Sequence, residues 1–163
     1  MSDKALKSQR TQMYVAFQTG ATAFTMITLQ DVSAIPNIGN PVKAKLDATD
    51  LDSVAKEYVA GLSDAAEMSL SYMLRGSVNQ QRLRDLDASG VISRFMICYS
   101  ENTAQPTMSP TTGVFTPALG RSHSTFSAYV SSMAFSVAVD AVIQGTIGLQ
   151  VSGSVSTTIV AEA

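Results

Sequence analysis

Alternation of apolar and polar side chains marks most of the predicted strands in this chain. The clearest run covers residues 143–155, where the apolar side chains are Ile143, Ile147, Leu149, Val151 and Val155. The positions between them are mostly Gln, Thr and Ser, and a period of two is typical of a half-buried β-strand. Three glycines within this run, at 145, 148 and 153, predict bends or bulges that let a sheet curve.

Four further stretches predict strands. Residues 66–75 alternate in the same way, and residues 91–100 form a dense apolar run that predicts a central strand. Residues 13–30 predict a first strand that Gly20 interrupts. In the run 125–135 the even-numbered positions, from Phe126 to Ala134, are predicted to share one face of the sheet.

One helix is predicted, over residues 77–89. Ser77 is a favourable N-cap and Gln80 stands three residues later, which is the spacing of a capping box. Gly90 follows as the residue that ends the helix. A narrow apolar stripe of Val78, Leu83 and Leu86 is predicted to face the sheet.

About six strands, mostly antiparallel, and one helix predict a mainly β (α+β) domain. The expected architecture is an antiparallel β-sandwich or small barrel with one flanking α-helix. The 163 residues fit a single domain, 1–163. Within it we expect an N-terminal arm at residues 1–12 and an extended loop at residues 43–62.

The low content of charged residues allows two interpretations. Either much of the surface is covered in an assembly, or the protein is a mildly charged monomer. Charged residues are 15% of the chain, against about 25% in an average soluble domain. Basic residues do not cluster, so tight binding to nucleic acid is not expected. The chain has no run of 18 apolar residues and no apolar signal segment, which predicts no membrane insertion.

The residues that usually carry chemistry are scarce. A single histidine, His123, and a single cysteine, Cys98, do not make a zinc site, and Cys98 is expected to be buried. A calcium loop starting at Asp47 would need Gly at its sixth position and Glu at its twelfth, but Asp52 and Tyr58 stand there. No cofactor is expected, and an enzyme is the least favoured class.

Four short motifs follow one another in the region 46–90. They are an Asp-x-Thr element (Asp47, Thr49), a Lys-Glu-Tyr segment (Lys56, Glu57, Tyr58), a Gly-Leu-x-Asp segment (Gly61, Leu62, Asp64) and a strand that opens with Glu67. Through the order of these motifs and of its strands and helix, the chain from about Val15 onward resembles the major tail tube protein of long-tailed bacteriophages. That family usually has Gly before the Glu, whereas this chain has Ala66.

The resemblance implies a structural virion protein that forms hexameric rings, which stack into a hollow tube conducting phage DNA. The inner sheets of the subunits would join into one barrel, and the long excursion would reach the neighbouring ring. Expected partners are further copies of the chain, the tape-measure protein, and the tail-tip and tail terminator proteins. Double-stranded DNA would pass transiently, and the protein would be made in the host bacterial cytoplasm and kept in the virion.

Two sets of residues are candidates for these roles. A neutral face suits a tube lumen because basic side chains would slow DNA by pairing with phosphates. The candidate lumen residues are Gln144, Thr146, Gln150, Ser152 and Ser154; the alternative is that they face water or an adjacent subunit. The candidate inter-ring residues, in the arm and the loop, are Lys4, Lys7, Arg10, Asp47, Asp50, Asp52, Lys56 and Glu57.

Two other functions remain open from the sequence. A secretion-system tube protein of the same fold is usually more compact and lacks the long excursion. A β-barrel that binds a small ligand is compatible with the low charge, although no residue pattern marks a pocket.

Overall fold

The computed structural model describes residues 9–29, 32–35, 42–52, 54–63 and 67–160. This part of the chain contains eleven strands and one helix. In chain order they are β1 (Gln12–Gly20), β2 (Ala23–Leu29), β3 (Val32–Ala34), β4 (Lys43–Asp47), β5 (Tyr58–Ser63), β6 (Glu67–Met73), α1 (Val78–Ser89), β7 (Ser93–Cys98), β8 (Thr107–Met108), β9 (Phe115–Thr116), β10 (His123–Ser136) and β11 (Gln144–Thr158).

Seven strands form one antiparallel sheet in the order β2-β1-β7-β10-β11-β6-β3. Strands β2 and β3 lie at opposite edges, yet only residues 30 and 31 separate them along the chain. The Cα atoms of Leu29 and Val32 therefore lie at most about 11 Å apart, because an extended chain advances about 3.6 Å per residue. The sheet must curl until its edges approach each other, and it forms a half-barrel. This confirms the barrel form of the predicted fold.

The main core lies on the face of the sheet that α1 covers. Leu83 and Leu86 of the helix pack against buried side chains of β1, β6, β7, β10 and β11. At its centre the rings of Phe95 and Phe126, which are directly opposite on β7 and β10, stack with centroids 5.4 Å apart. The helix therefore lies on one side of the curled sheet, as predicted.

The predicted helix boundaries are confirmed, but the prediction that Val78 belongs to the apolar face is wrong. Ser77 accepts a hydrogen bond from the Gln80 backbone N–H at 3.3 Å, and Gly90 adopts the left-handed conformation at φ 61°. Val78 is 66% exposed and does not join the stripe. Gln80 is buried instead. Its Oε1 accepts from the backbone N–H groups of Arg75 and Gly76, and its Nε2 donates to Met73 O at 2.7 Å. Its amide thus ties the helix to the end of β6.

Two further sequence predictions are corrected. The run 13–30 is a hairpin of β1 and β2, because the chain turns at residues 21–22 just after Gly20.

In β10 the predicted assignment of side chains to the two faces of the sheet fails beyond Val130. Val130 pairs with Leu149 but Ser132 pairs with Gly148, so one extra residue enters β10 there. This bulge reverses the alternation. Met133 consequently packs against the core, while Ser132 and Ala134 are exposed.

The strand glycines of β11 have different roles. Gly153 has φ 88° and lies where the register with β10 shifts, so it forms the predicted bulge. Gly145 pairs with Tyr72 in a regular ladder. A Cβ at residue 145 would lie less than 3.0 Å from ring atoms of Tyr72, which is a buried side chain. Gly145 therefore leaves the space that this ring occupies.

Replacing Gly145 with Ala is expected to destabilise the domain by about 1–3 kcal/mol, the usual cost of forcing extra volume into a packed site. The matched control is Gly20→Ala, whose new Cβ would meet its nearest neighbour, Ala23 Cβ, at 3.8 Å. Urea unfolding followed by circular dichroism measures both. Equal midpoints for Gly145→Ala and the native chain would contradict this assignment.

Candidate functional site

Four of the five candidate lumen residues, Gln144, Thr146, Gln150 and Ser152, lie together on the sheet face opposite the core, and Ser154 follows them in the bulge of β11. Residues that pair directly across antiparallel strands share a face. Thr146 pairs with Ala134 on one side and Ser71 on the other, and Gln150 lies between Tyr129 and Glu67. Four of the five side chains are exposed and Gln150 is half-buried. The neighbours on this face, which we call the neutral face, are Ser69, Ser71, Met73, Ser127, Tyr129, Ser132, Ala134 and Ser136.

The neutral face carries no positive charge at its centre. Strands β10 and β11 contain no Asp, Glu, Lys or Arg among their 14 and 15 residues. Glu67, at the start of β6, extends over Gly148 of β11, and its Oε1 accepts from Ser131 Oγ of β10 at 2.8 Å. Arg94, at the border of the face, donates through Nη1 to Thr112 O at 2.7 Å. The middle of the face is therefore polar, and its one charged side chain is a carboxylate.

A small second core covers the other part of this face. There Tyr14, Met96 and Cys98 are buried, and Phe115 from β9 packs over them. Burial raises the pKa of the Cys98 thiol, and the nearby Arg121 charge only partly offsets this. Burial likewise raises the pKa of the Tyr14 phenol. The expectation that Cys98 is a buried small apolar residue is confirmed.

Sequence reasoning missed Arg121, which is the largest fully buried side chain in the described residues. Its guanidinium donates to five acceptors around it. They are the backbone carbonyls of Tyr99, Ala104, Arg10 and Cys98 and the side-chain Oε1 of Gln12, at 2.7 to 3.3 Å. A guanidinium has five N–H donors, so all of them are used. Arg121 thereby joins the start of β1 to the loop after β7. The only signal in the sequence was a lone basic residue before a strand without charge.

Strands β4 and β5 form a hairpin that projects from the sheet, where the sequence predicted an extended loop. The described side chains of β4 are all exposed, and so are those of β5 apart from half-buried Gly61. Lys45 Nζ lies 3.5 Å from the centroid of the Tyr58 ring, a cation–π contact between the two strands. The hairpin therefore holds together without joining the core.

Hydrogen bonds close the hairpin where its tip begins. The Asp47 carboxylate accepts from the backbone N–H and the hydroxyl of Thr49. Thr49 Oγ1 in turn accepts from the Glu57 N–H at 3.1 Å, and the Ala48 N–H donates to Glu57 O at 2.9 Å. The two bonds from Thr49, led by the one from its hydroxyl, lower the pKa of the Asp47 carboxyl. The Asp-x-Thr element thus shapes the tip, residues 48–57.

The candidate inter-ring residues fall into three groups. Lys4 and Lys7 lie outside the described residues. The other six side chains are exposed, and five of them lie at the hairpin tip or its border: Asp47, Asp50, Asp52, Lys56 and Glu57. Arg10 lies apart from these, in a turn before β1 with φ 73°, where its carbonyl accepts from Arg121. Their contact with another ring stays a prediction.

The described residues contain no group of three or more His, Cys, Asp and Glu side chains placed to hold a metal ion. The one helix among them lacks the length and apolar character needed to cross a membrane.

Comparisons with known proteins agree with this architecture. Residues 4–160 match the family described as "Phage tail tube, TTP, lambda-like". The chain is 32% identical over 118 residues to "Structural protein 3" of Pseudomonas phage PAJU2, a match that covers 67% of this chain and 69% of that protein.

Similar solved structures are tubes and parts of tubes. The SPP1 tail tube superposes with a TM-score of 0.64 at 16% identity, covering 96% of this chain and 81% of that one. The tail of an empty GTA particle, with C6 symmetry, gives 0.64 at 16% identity, covering 95% and 100%. The sheath/tube terminator of PVC, an extracellular contractile injection system, gives 0.65 at 8% identity, covering 98% and 100%. These likenesses show a shared fold, and the family match shows more: the chain belongs to the lambda-like family of phage tail tube proteins.

Proposed function

We propose that this protein polymerises as hexameric rings that stack into a hollow tail tube, through which phage DNA passes into the host cell. The observation that carries this proposal is the neutral face of β6, β10 and β11. It is largely solvent-exposed and carries no Lys or Arg at its centre, in a chain of the phage tail tube family. The GTA tail, which shares the fold, has sixfold symmetry.

Ring closure is supported by two strand edges that stay open in the single chain. Strand β7 pairs with β10 only over residues 123–128, and β6 pairs with β11 only over residues 144–150. No described strand pairs with the outer edges of residues 129–136 and 151–158. Open edges without charge invite further pairing. These two half-edges lie on opposite sides of the β10–β11 ribbon, so each copy offers one edge to each neighbour. The two half-edges are offset from each other along the strands, as neighbouring tilted strands are in a closed barrel.

The neutral face suits the lumen of such a barrel. Phosphate contacts are made chiefly by Lys and Arg and hold DNA in place. Ser, Thr and Gln side chains keep the wall hydrated without fixed positive charge. We therefore assign Gln144, Thr146, Gln150, Ser152 and Ser154 to the wall of the lumen.

The projecting hairpin suits contact between stacked rings. Its side chains are exposed, and its tip is held by its own hydrogen bonds. Single exposed ion pairs contribute only about 0–1 kcal/mol, but repetition around a ring multiplies them. We assign Asp47, Asp50, Asp52, Lys56 and Glu57 of the hairpin, with Lys4, Lys7 and Arg10 of the arm, to this interface.

Tail partners and location follow from the same proposal. The tube would enclose the tape-measure protein and end at the tail-tip and terminator proteins, within a virion assembled in the host cytoplasm. Among proteins of this fold, the anti-feeding prophage has a sixfold baseplate and a tube-terminating cap.

A ligand-binding barrel is less favoured. The enclosed space under α1, lined by Leu29, Leu70, Leu83 and Ile147, amounts to about 10 Å³, and two open grooves elsewhere hold about 220 and 250 Å³. Small-molecule sites usually need about 300 Å³ or more. Two observations favour a phage tail tube over a secretion-system tube: the phage family match, and the long excursion of β4 and β5, which secretion-system tube proteins usually lack.

The proposal predicts hollow tubes or stacked rings. Purified protein at rising concentration, with and without a tail-tip complex, would be imaged by negative-stain electron microscopy and followed by sedimentation. Tubes with sixfold end views are expected because the open half-edges pair between copies. A stable monomer even with the tail-tip complex would overturn the tube function.

Lysine in the lumen should slow DNA passage. The double variant Thr146→Lys/Gln150→Lys is expected to assemble but to release DNA at least about tenfold more slowly when it replaces the native subunit in phage, because its ammonium groups pair with phosphates. The matched control is Thr103→Lys/Gln105→Lys, which places the same changes in the exposed loop after β7. Dye-detected DNA release measures the rate. Equal rates for both variants would refute the lumen assignment.

Removing the hairpin tip should block stacking but not folding. Replacing residues 48–57 with Asn-Gly joins Asp47 to Tyr58, which already pair, through a two-residue turn. Thermal unfolding should stay within a few degrees of the native chain, since the tip adds nothing to the core. Tubes should be absent by sedimentation. Thr49→Ser, which keeps the hydroxyl, is the control and should assemble; normal tubes from the shortened chain would contradict the stacking role.

A further inference from the structure

The chain joins the base of the β4–β5 hairpin to one end of β6, and an apolar groove lies at the other end of β6. The base of the β4–β5 hairpin is joined through residues 64–66 to Glu67, at the start of β6. The other end of β6 continues to Leu74, whose N–H donates to Ile143 O at the turn between β10 and β11. About 20 Å separates the two ends, at about 3.3 Å per strand residue. Head-to-tail stacking would bring the tip of one copy to this far end of the next.

The groove at the far end runs between the first turns of α1 and the end of β10. It encloses about 220 Å³. Leu74 and Phe135, at 36% and 47% exposure, form its apolar part, and Ser77, Gln81 and Arg84 form its polar rim. Gln80 holds its floor in place through the three hydrogen bonds to residues 73, 75 and 76. The groove is thus preformed and carries a positive charge at one border.

The hairpin tip has the complementary chemistry. Leu51 and Val54, two aliphatic side chains on a short charged segment, are fully exposed. Asp50 and Asp52 flank Leu51, and the Asp52 N–H donates to Asp50 Oδ1 at 3.1 Å. Leu51 is thus part of a turn that has an aspartate on each side of it in the sequence.

We infer that the tip of one copy docks in this groove of a second copy, with Leu51 and Val54 against Leu74 and Phe135 and with Asp52 beside Arg84. The inference rests on the proposed stacking and names the surface that receives the tip. The contact is heterologous, since tip and groove are different surfaces. Repeated head to tail, it leads to an open stack rather than a closed dimer.

Disulfide trapping between two single-cysteine variants tests the docking. Leu51→Cys and Gln81→Cys proteins, one carrying a size tag, would be mixed and oxidised. A mixed disulfide is expected, with little of either homodimer, because tip meets groove and not tip. The native Cys98 does not compete because it is buried. A bond needs Cα atoms within about 7 Å, so only close docking forms it.

The outcome separates docking from tube assembly. Native tubes without a mixed disulfide would overturn the docking and leave the tube function intact. A mixed disulfide supports the docking even if tubes do not elongate. Absence of both tubes and disulfide would overturn both.

Charge reversal gives a second, independent readout. Arg84→Glu is expected to raise the protein concentration needed for sedimentable polymer by about tenfold, equivalent to about 1.4 kcal/mol. Adding Asp52→Lys should restore most of the loss by exchanging the two charges. Arg82→Glu, the same change on the same helix but beside Phe17, is the control and should assemble near the native concentration. Failure of Asp52→Lys to rescue would argue against this pairing.

Discussion

The pairing of β10 with β11 is the constraint on which the rest of this structure depends. The two strands run side by side from His123↔Thr158 to Ser136↔Gln144, far beyond the reach of their neighbours. Because their side chains alternate, the ladder fixes one apolar face for the helix and one neutral face for solvent. Because β7 and β6 each cover only half of it, the ladder also leaves two staggered edges. The core, the candidate lumen and the open edges proposed for ring closure all follow from this one strand pairing.

A neutral strand pair is hazardous in an isolated protein. Exposed edges usually carry charges that prevent pairing with other chains. Here β10 and β11 have none, and the cations that accompany this face are used elsewhere. Arg121 is buried with all five donors bonded to neutral acceptors, and Arg94 bonds a carbonyl at the border. An assembly that closes the edges removes the hazard and keeps the neutral surface, so the missing charge is consistent with a single assembled state.

The sequence predicted those features that depend on neighbouring residues. Alternation located the long strands, and the Ser77–Gln80 spacing with Gly90 located the helix within a residue. Features that depend on distant partners were missed. The bulge at Ser131 reverses the face of Met133, but nothing in the local pattern of residues 125–135 announces it. Gln80 is buried on the helix face where Val78 was predicted, because the end of β6 offers backbone hydrogen-bond partners for its amide. The burial of Arg121 could not be predicted, since its acceptors lie up to 111 residues away.

The family was recognised from the order of short motifs. Of these motifs, the Asp-x-Thr element of Asp47 and Thr49 shapes the hairpin tip.

The hairpin explains how a stack could be strong and still bend. Its tip is fixed internally by the bonds among Asp47, Thr49 and Glu57, so it presents one shape to a partner. Its exposed strands share no core with the sheet, so a change of angle at its base costs little packing. The receiving groove, in contrast, is braced by Gln80 against both β6 and α1. If the tip docks as proposed, the hairpin's lack of a shared core with the sheet would let neighbouring rings tilt while the docked contacts are kept, and the flexibility would then lie between the rings and not within them.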